Sequence, residues 1–261
     1  MFSLEGKTIL VTGGNSGLGC GVAKAIAELG GKLVIWGRRD EKNQQAAEIL
    51  RSRGAEVVAQ AVDVADSKQV ADAFVEAVEQ AGDIHGVVAN AGIAPPEMRL
   101  THEHDDEYFS HIAGINQLGV FHTLREAAKH MITRSEAGRP GGSLVGMSSL
   151  SGFLGYPGLA AYASAKGAME ALIRVMVVEY GAYGIRANCV APGYTLTEMG
   201  DADSELQGNY EADAMSARVP LGRVGQSNDV SGAVIYLLSD AAEFHTGDSL
   251  VIDGGISING L

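Results

Sequence analysis

The fold is decided by residues 8–19, which read TILVTGGNSGLG. The first five are β-branched or aliphatic, as is typical of a buried strand, and the next seven include four glycines. Residues 21–29 then follow a helical period. In a strand–turn–helix unit of this kind, free backbone N–H groups and the positive end of the helix dipole face the turn. The segment therefore predicts a phosphate-binding turn at the start of an α/β domain.

The rest of the chain continues this alternation of short Val- and Ile-rich runs with longer segments of helical period. Strands are predicted at residues 8–12, 32–36, 56–61, 86–89, 143–147, 185–190 and 250–252. Helices are predicted at residues 17–29, 41–53, 67–80, 105–133, 159–180 and 228–238. The pattern predicts a Rossmann-type, doubly wound, seven-stranded parallel sheet with helices on both faces. No linker or repeat divides the sequence, so residues 1–261 are predicted to form a single α/β domain.

Composition excludes several classes of protein. With 46% hydrophobic residues in 261, the chain has enough apolar side chains for a core, which excludes a mainly disordered state. A net charge of −13 repels polyanions and argues against nucleic acid or a membrane surface as a partner. Two cysteines are too few for a disulfide framework, and the opening MFSLEGK does not resemble a signal peptide. We therefore expect a cytoplasmic protein.

One long segment interrupts the alternation after the sixth strand. Residues 193–223 are acidic and follow a strand at the edge where open α/β sheets bind ligands. A loop of this length in a compact domain is usually functional. We interpret it as a substrate lid, with short helices expected around residues 204–217.

The end of the second strand discriminates between two dinucleotides. An acidic residue at this position binds the ribose 2′-hydroxyl of NAD, whereas a small residue followed by arginine suits the 2′-phosphate of NADP. The sequence has Gly37, Arg38 and Arg39 there, so NADP(H) is favoured. Asp40 follows directly, and it leaves NAD(H) as the alternative if its side chain faces the ribose.

A tyrosine and a lysine four residues apart form the candidate catalytic pair. Tyr162 and Lys166 lie in a segment of helical period and share one face. An ammonium beside a phenol is expected to lower the tyrosine pKa, which suits Tyr162 to acid/base catalysis on an alcohol oxygen. Upstream, Ser148 and Ser149 end a strand at the same edge as the glycine turn, where a hydroxyl can stabilise negative charge on a carbonyl oxygen.

Together these motifs resemble the short-chain dehydrogenase/reductase family over residues 4–255. The family's turn corresponds to residues 12–19, and its catalytic serine, thirteen residues before the tyrosine, corresponds to Ser149. The other matching positions are Asp63-Val64, Asn90-Ala91-Gly92, Asn116, Pro192-Gly193 with Thr197, and Asp253-Gly254-Gly255.

The resemblance implies a role for each matching residue. Tyr162 is implied as the general acid/base, Ser149 as the group that holds the substrate oxygen, Lys166 as the nicotinamide–ribose ligand and Asn116 as the holder of a relay water. The coenzyme-binding residues expected from the motifs and the resemblance are Gly13, Asn15, Ser16, Gly17, Leu18, Gly19, Arg38, Arg39, Asp63, Val64, Asn90, Ala91, Gly92, Tyr162, Lys166, Pro192, Gly193, Thr195 and Thr197. The expected substrate contacts are Ser149, Ser151, Tyr156, Tyr162 and Tyr194.

The substrate is the least determined part of this interpretation. Residues expected around the site are mainly apolar or aromatic, which favours a secondary alcohol or ketone of medium size. A 3-oxoacyl thioester reductase is one alternative, with Arg125, Lys129, Arg134 and Arg139 as a docking patch for an acyl carrier. A sugar or sugar-acid dehydrogenase and a non-catalytic nucleotide sensor are the others.

Two further expectations concern metals and assembly. His102, His104, Asp105 and Asp106 lack metal-ligand spacing, so no metal site is predicted, and the two aspartates are interpreted as the start of a helix. The family resemblance implies a homotetramer built on the helices at 105–133 and 159–180.

Overall fold

A seven-stranded parallel sheet forms the centre of the molecule. The computed structural model describes residues 2–196 and 212–259. Its sheet has the strand order β3-β2-β1-β4-β5-β6-β9. The strands are β1 (Thr8–Thr12), β2 (Lys32–Gly37), β3 (Val57–Ala61), β4 (Gly86–Ala89), β5 (Gly142–Met147), β6 (Ile185–Pro192) and β9 (Ser249–Ile252). Two two-residue strands, β7 (Thr195–Leu196) and β8 (Gly225–Gln226), pair separately.

Helices connect the strands and cover both faces of the sheet. They are α1 (Gly17–Glu28), α2 (Asp40–Ser52), α3 (Ser67–Ala81), α4 (Asp106–Ala113), α5 (Gly119–Glu136), α6 (Ala160–Tyr180), α7 (Ala212–Ser216) and α8 (Ser227–Leu238). A π-helical turn, Gly114–Leu118, joins α4 to α5. The predicted α/β class, the seven parallel strands and the helices on both faces are confirmed.

The core has one layer on each side of the sheet. On one face, apolar side chains of α3, α5 and α6, such as Phe74, Leu124 and Ile173, pack against β1, β4 and β5. On the other face, α1, α2 and α8 pack against the same sheet through residues such as Ile26 and Val234. Strands that are buried on both faces need apolar residues at successive positions, which explains the continuous Val and Ile runs of the sequence.

Two sequence expectations need correction or restriction. The single helix predicted for residues 105–133 is instead α4, a π-helical turn and α5, because a turn of i→i+5 hydrogen bonds leaves the apolar pattern almost unchanged. Of the lid, the structure describes residues 193–196 and 212–223, and α7 lies within the expected helical range. Residues 197–211 lie outside the described parts.

The strand order fixes where a ligand site forms. The order reverses between β1 and β4, so the loops after these two strands diverge to opposite faces and leave a crevice at their carboxyl ends. Val11 of β1 is in register with Val88 of β4, which brings the segments after Thr12 and Ala89 side by side. The glycine turn and the Asn90 segment therefore meet at this edge.

Candidate active site

The glycine turn has the backbone shape that a bound anion requires. Gly13 has a positive φ of 65°, and a Cβ atom at Gly19 would overlap the carbonyl oxygen of Gly13. Ser16 is the N-cap residue of α1, but its hydroxyl makes no capping hydrogen bond. The N–H groups of the first helical turn, from Gly17, Leu18 and Gly19, are thus left for an external acceptor.

The neighbouring segment is held against this turn by hydrogen bonds at the ends of β1 and β4. The hydroxyl of Thr12 accepts from the backbone N–H groups of Asn90 at 3.0 Å and Ala91 at 2.9 Å. The Asn90 amide donates to the Thr12 carbonyl at 2.9 Å. The predicted coenzyme residues around Gly13 and Asn90 are therefore brought together in one crevice.

The end of β2 combines a buried amide pair with an exposed cation. Asn15 Nδ2 donates to Asn43 Oδ1 at 2.6 Å, and a Cβ atom at Gly37 would overlap both groups. Arg38 is exposed and forms no hydrogen bond or ion pair with any residue of the described ranges. Asp40 is the first residue of α2, where its carboxylate accepts from Gln44 at 3.3 Å. Among the described residues, the Arg38 guanidinium is thus an unpaired cation beside the crevice, whereas Arg39, also exposed, makes other contacts.

The predicted adenine-side pair lies after β3. The Asp63 carboxylate accepts from the Ala65 N–H at 3.0 Å, which forms a local turn. Val64 is buried, and its carbonyl is 3.0 Å from Nδ1 of the buried His122 on α5. These contacts fix the loop at the carboxyl edge of the sheet.

Asn116 lies in the π-helical turn and holds the loop after β4 by two hydrogen bonds. Its side chain is fully buried, with Oδ1 accepting from the Ile93 N–H at 2.8 Å and Nδ2 donating to the Ile93 carbonyl at 2.9 Å. Gly92 lies exposed in the same loop, beside the Asn116 amide. The side-chain amide is thus bonded to Ile93. The role of Asn116 in holding a relay water stays a prediction.

Ser149, Tyr162 and Lys166 meet where β5 ends and α6 begins. Ser149 lies close enough to the half-buried Tyr162 phenol to lower its pKa, and Lys166 lies on the same face of α6 one turn later. Lys166 Nζ is buried, donates to the Met147 carbonyl at 2.6 Å and lies 5.5 Å from the centre of the Tyr162 ring. The three residues form one continuous group beside the coenzyme crevice.

The protonation of this group follows from its burial. Burial raises the pKa of the Tyr162 phenol, while the nearby Ser149 side chain acts in the opposite direction. Burial also lowers the pKa of Lys166 to about 8. The expected lowering of the tyrosine pKa by Lys166 is therefore wrong for this structure, since the ammonium bonds to the Met147 carbonyl instead of the phenol.

The loop after β6 lies at the same carboxyl edge of the sheet, beside the end of β9. Pro192 ends β6 in register with Ile252, and the Gly193 N–H donates to the Ile252 carbonyl at 2.9 Å. Thr195 Oγ1 donates to the Gly193 carbonyl at 3.2 Å. Thr197, the remaining predicted coenzyme residue, lies outside the described parts of the chain.

The chain is similar to known dehydrogenases and reductases over nearly its whole length. Residues 13–257 match a family model described as enoyl-(acyl carrier protein) reductase. Cis-4-hydroxycyclohexanecarboxylate dehydrogenase of Sinomonas cyclohexanicum is 37% identical, over 95% of this chain and 96% of that protein. The 3-oxoacyl-[acyl-carrier-protein] reductase of Chlamydia pneumoniae is 32% identical, over 98% of each chain. The chain belongs to the short-chain dehydrogenase/reductase family.

Solved structures agree with this assignment. Gluconate 5-dehydrogenase of Burkholderia cenocepacia, in complex with NADP and tartrate, has a TM-score of 0.89 to this chain and is 33% identical. The alignment covers 98% of this chain and 97% of that chain. The family resemblance inferred from the motifs is confirmed, and the chain is an NAD(P)-dependent oxidoreductase that acts on CH–OH groups.

The residues present fit a dinucleotide of the kind that short-chain dehydrogenases use. The cradle at Gly13 and Gly19 admits a backbone approach that a Cβ atom would block. Free N–H groups at the start of α1 suit a pyrophosphate, and the exposed Arg38 suits an additional phosphate.

The substrate side of this short-chain dehydrogenase contains a charged residue that the sequence analysis missed. Tyr156 is half-buried, and burial together with Tyr194 raises the pKa of its phenol, whereas the positive charge of Arg218 acts in the opposite direction. Asp253 also lies within electrostatic range. Ser151 is buried, and its N–H donates to Ser149 Oγ at 3.2 Å. Arg218 belongs to no motif of the sequence, and its proximity to Tyr156 arises only in the folded chain.

A second missed residue supports the segment that contains the predicted catalytic serine. Glu170 Oε1 accepts from Ser148 Oγ at 2.8 Å and from Ser249 Oγ at 3.2 Å. It thus ties β5, α6 and β9 together next to Ser149. Its position four residues after Lys166 places it on the same helix face, which is the sequence signal that could have identified it.

The polar cluster near residue 104 serves local structure. Asp105 is the N-cap residue of α4 and accepts from the Tyr108 N–H at 2.7 Å, as expected for a helix start. His104 Nε2 is 3.0 Å from the Arg99 carbonyl. Among residues 2–196 and 212–259, no group of three or more His, Cys, Asp or Glu side chains is placed to hold a metal ion.

Proposed function

We propose that this protein is an NADP(H)-dependent oxidoreductase that transfers hydride between nicotinamide and a secondary alcohol or ketone of medium size. The observation that carries the proposal is the Ser149–Tyr162–Lys166 group, in which the Tyr162 phenol lies next to Ser149 and one helical turn before the buried Lys166. A non-catalytic nucleotide sensor has no need for a phenol and a hydroxyl at this position, so the arrangement favours an enzyme.

The proposed mechanism gives each residue a separate task. A bound nicotinamide would supply or accept the hydride. In the reducing direction, Tyr162 donates its proton to the carbonyl oxygen, and its raised pKa keeps the phenol protonated at neutral pH. The Ser149 hydroxyl donates a hydrogen bond to the same oxygen as negative charge develops on it. Lys166, moved from the Met147 carbonyl, would bind the nicotinamide ribose and bias Tyr162 electrostatically.

The preference for NADP(H) over NAD(H) is proposed from the end of β2. Arg38 is exposed and has no ionic partner in the described ranges, while the Asn15–Asn43 pair leaves no room for a carboxylate at position 37. A guanidinium can bind a 2′-phosphate with two parallel hydrogen bonds. The NADP complex of the gluconate 5-dehydrogenase structure supports this proposal.

A hydroxy acid is the second candidate substrate, favoured by Arg218. Its charge acts on Tyr156, which faces the substrate side in our proposal, and a carboxylate bound there would meet a cation. Relatives named as a hydroxycyclohexanecarboxylate dehydrogenase and a gluconate 5-dehydrogenase are consistent with such a substrate. The sugar-acid alternative therefore gains support that the sequence alone did not provide.

The acyl-carrier alternative finds less support on the surface expected to dock a carrier protein. Arg134 is buried, and both Arg125 and Lys129 are paired with Glu126. Arg139 is paired with Asp83. These four cations do not present the unpaired basic patch that an acidic carrier protein would need.

Three further features of this proposal concern the lid, assembly and location. Residues 193–223 are proposed to close over the substrate. A homotetramer is proposed because α4, the π-helical turn, α5 and α6 expose the large apolar side chains Phe109, Leu118, Phe121, Val175 and Val178. A cytoplasmic location is proposed from the low cysteine content, two residues in 261, which suits a reducing compartment. In the parts that the structure describes, no helix has the length and apolar character of a membrane span.

The experiment that tests the proposed function is a substrate panel. Purified protein is assayed with NADP⁺ and with NAD⁺ against cyclic alcohols, neutral polyols, hydroxy acids and 3-hydroxyacyl thioesters. We expect oxidation of a secondary alcohol with NADP⁺, with hydroxy acids and matched neutral alcohols compared directly. Absence of turnover across all four classes with both coenzymes would overturn the enzyme proposal. Light scattering of the same sample tests the tetramer.

A further inference from the structure

An asparagine interrupts the apolar face of α2. The buried side chains of this helix are Asn43, Ala46, Ala47 and Leu50, which follow the i, i+3, i+4, i+7 spacing of a face turned to the core. Asn43 begins this face and is fully buried. An aliphatic residue would fill the position without the cost of burying an amide. The polarity of Asn43 therefore needs partners that an aliphatic side chain could not bind.

The Asn43 amide uses both its N–H groups and its carbonyl oxygen. Oδ1 accepts from Asn15 Nδ2 at 2.6 Å. Nδ2 donates to the Gly37 carbonyl at 2.8 Å and to the Gln60 carbonyl at 2.9 Å. Because an amide has two N–H donors and one acceptor oxygen, each of its polar atoms has a partner. The side chain is thus satisfied although no water reaches it.

The three partners belong to three separate segments of the carboxyl edge. Asn15 lies in the glycine turn, Gly37 ends β2 directly before Arg38, and Gln60 lies near the end of β3. In dinucleotide-binding α/β folds, the pyrophosphate binds at the glycine turn and the adenosine ribose binds at the end of the second strand. A single side chain of α2 therefore links the segments expected around the adenosine half of a coenzyme.

The link is closely packed. A Cβ atom at Gly37 would overlap both Asn15 Nδ2 and Asn43 Oδ1, so the amide pair fills the space beside this glycine. The Gly37 carbonyl also accepts from the Val62 N–H at 3.1 Å and is thus held from two sides. Asn15 is only 8% exposed. Loss of the Asn43 amide would therefore release the glycine turn and the peptide that leads to Arg38 together.

A purely structural role explains two of the three bonds. The bonds to the Gly37 and Gln60 carbonyls fasten α2 to the ends of β2 and β3. The third bond leaves this layer and holds a side chain of the glycine turn. Asn188, a fully buried asparagine of β6, shows the contrast: it bonds the His245 carbonyl at 3.0 Å and the Asp248 N–H at 3.1 Å, and neither partner is a predicted coenzyme residue.

We propose that Asn43 is a positioning residue for the coenzyme, which holds the glycine turn and the end of β2 at the spacing that the pyrophosphate and the adenosine ribose require. Since Asn43 is fully buried, it acts through Asn15 and the Gly37 peptide. NADP(H) and NAD(H) share the adenosine ribose, so loss of Asn43 should weaken both, whereas loss of Arg38 should weaken NADP(H) alone. The inference rests on the proposed coenzyme site, but not on the NADP preference or on the substrate.

The test is a double-mutant cycle on coenzyme affinity. Dissociation constants of NADPH and NADH are measured by fluorescence titration for wild type, Asn43→Leu, Asn15→Ala and the double variant. We expect Asn43→Leu to weaken both coenzymes roughly tenfold, the size of one to two lost hydrogen bonds. In the Asn15→Ala background the same substitution should weaken them at most about threefold, because residues that act through one contact are not additive.

Asn188→Leu is the matched control, since it makes the same substitution at an equally buried position away from the crevice. Its thermal midpoint should fall, while its coenzyme affinity should equal that of wild type. A loss of affinity in Asn188→Leu as large as in Asn43→Leu would assign Asn43 a general role in stability and overturn the proposal.

Two further results would overturn it: wild-type affinity in Asn43→Leu, or an effect of Asn43→Leu that is equally large with and without Asn15→Ala. If Asn43→Leu does not fold, Asn43→Ser replaces it in the cycle, because a single hydroxyl cannot bond all three partners. The readout is binding, so absence of turnover would contradict the proposed function without changing this result. Failure of wild type to bind either coenzyme would overturn both.

Discussion

The two edges of the sheet differ in the groups that present positive charge: backbone N–H groups at the carboxyl edge and long cationic side chains at the amino edge. At the carboxyl edge, β1 is followed by glycines and by the start of α1, so the backbone itself presents N–H groups. At the amino edge, helices end and their carbonyl groups are bonded by long side chains, such as Lys7 and Arg186. The carboxyl edge thus offers an anion backbone N–H groups that no side-chain substitution removes, whereas the amino edge depends on a few cations that mutation can remove.

The largest effect is expected at the carboxyl edge, from Tyr162→Phe. Removal of the phenolic proton should lower kcat by roughly 10²–10⁴-fold, the size of general acid/base catalysis. Binding of NADP(H), measured by fluorescence titration, should change little. Tyr183→Phe is the matched control, since that residue lies at the amino edge just before β6. Equal rates for Tyr162→Phe and wild type would remove Tyr162 from the mechanism.

The next effect is expected from Arg38→Ala. Loss of a charge-assisted hydrogen bond worth about 1.5–3 kcal/mol should weaken NADP(H) roughly 10–150-fold, while NAD(H) binding stays nearly constant. Dissociation constants for the two coenzymes give the comparison directly. Arg53→Ala, which removes an exposed arginine paired with Glu28, is the control. Equal weakening of both coenzymes would show that Arg38 does not bind the 2′-phosphate.

A smaller effect is expected when the support behind Ser149 is removed. Glu170→Ala eliminates the acceptor of Ser148 and Ser249 and should lower kcat roughly tenfold, with little change in the KM for coenzyme. Glu170→Gln keeps an acceptor oxygen and should restore most of the rate. If kcat and the thermal midpoint of the two variants change in parallel, Glu170 has only a structural role.

The smallest effect concerns His85 at the amino edge. Its pKa falls from 6.5 to about 4 on folding, so the unfolded chain binds the extra proton between these values. The stability contribution of neutral His85 is therefore complete above pH 6.5 and is lost as the pH falls towards 4. For a half-buried group we expect a loss on the order of 1 kcal/mol.

Denaturant unfolding of wild type and His85→Asn from pH 7 to pH 4 measures this dependence. Asparagine can still accept from the Thr8 N–H, as His85 Nδ1 does at 3.0 Å, but it does not titrate. The variant should lose less stability than wild type over this range. Identical slopes would exclude His85 as the source of the pH dependence.

The sheet was predicted well because its central strands β1, β2, β4, β5 and β6 are buried on both faces and therefore carry continuous apolar runs. Strand β4, for example, begins and ends at the predicted residues, Gly86 and Ala89. The helix at 105–133 was predicted incorrectly as continuous, because a π-helical turn has no distinct apolar period.

Within the site, the helix face that Tyr162 shares with Lys166 followed from the helical period, and the strand end placed Ser148 and Ser149 at the carboxyl edge, whereas the choice of Ser149 came from the family resemblance. The protonation of the pair did not follow, since it depends on burial and on the Met147 carbonyl, which only the folded chain brings to Lys166. Arg218 was missed because Tyr156 is distant from it in sequence, whereas Glu170 could have been found from its spacing of four residues after Lys166.

The crowded environment of Gly37 has a consequence for coenzyme redesign. Asn15 and Asn43 already occupy the space into which a side chain at position 37 would grow, and Asn43 also binds the carbonyl groups of Gly37 and Gln60. A carboxylate introduced as Gly37→Asp alone would collide with this amide pair. Conversion to an NAD-selective enzyme is therefore an epistatic problem, in which Asn15 must change before an acidic residue at position 37 can be of use.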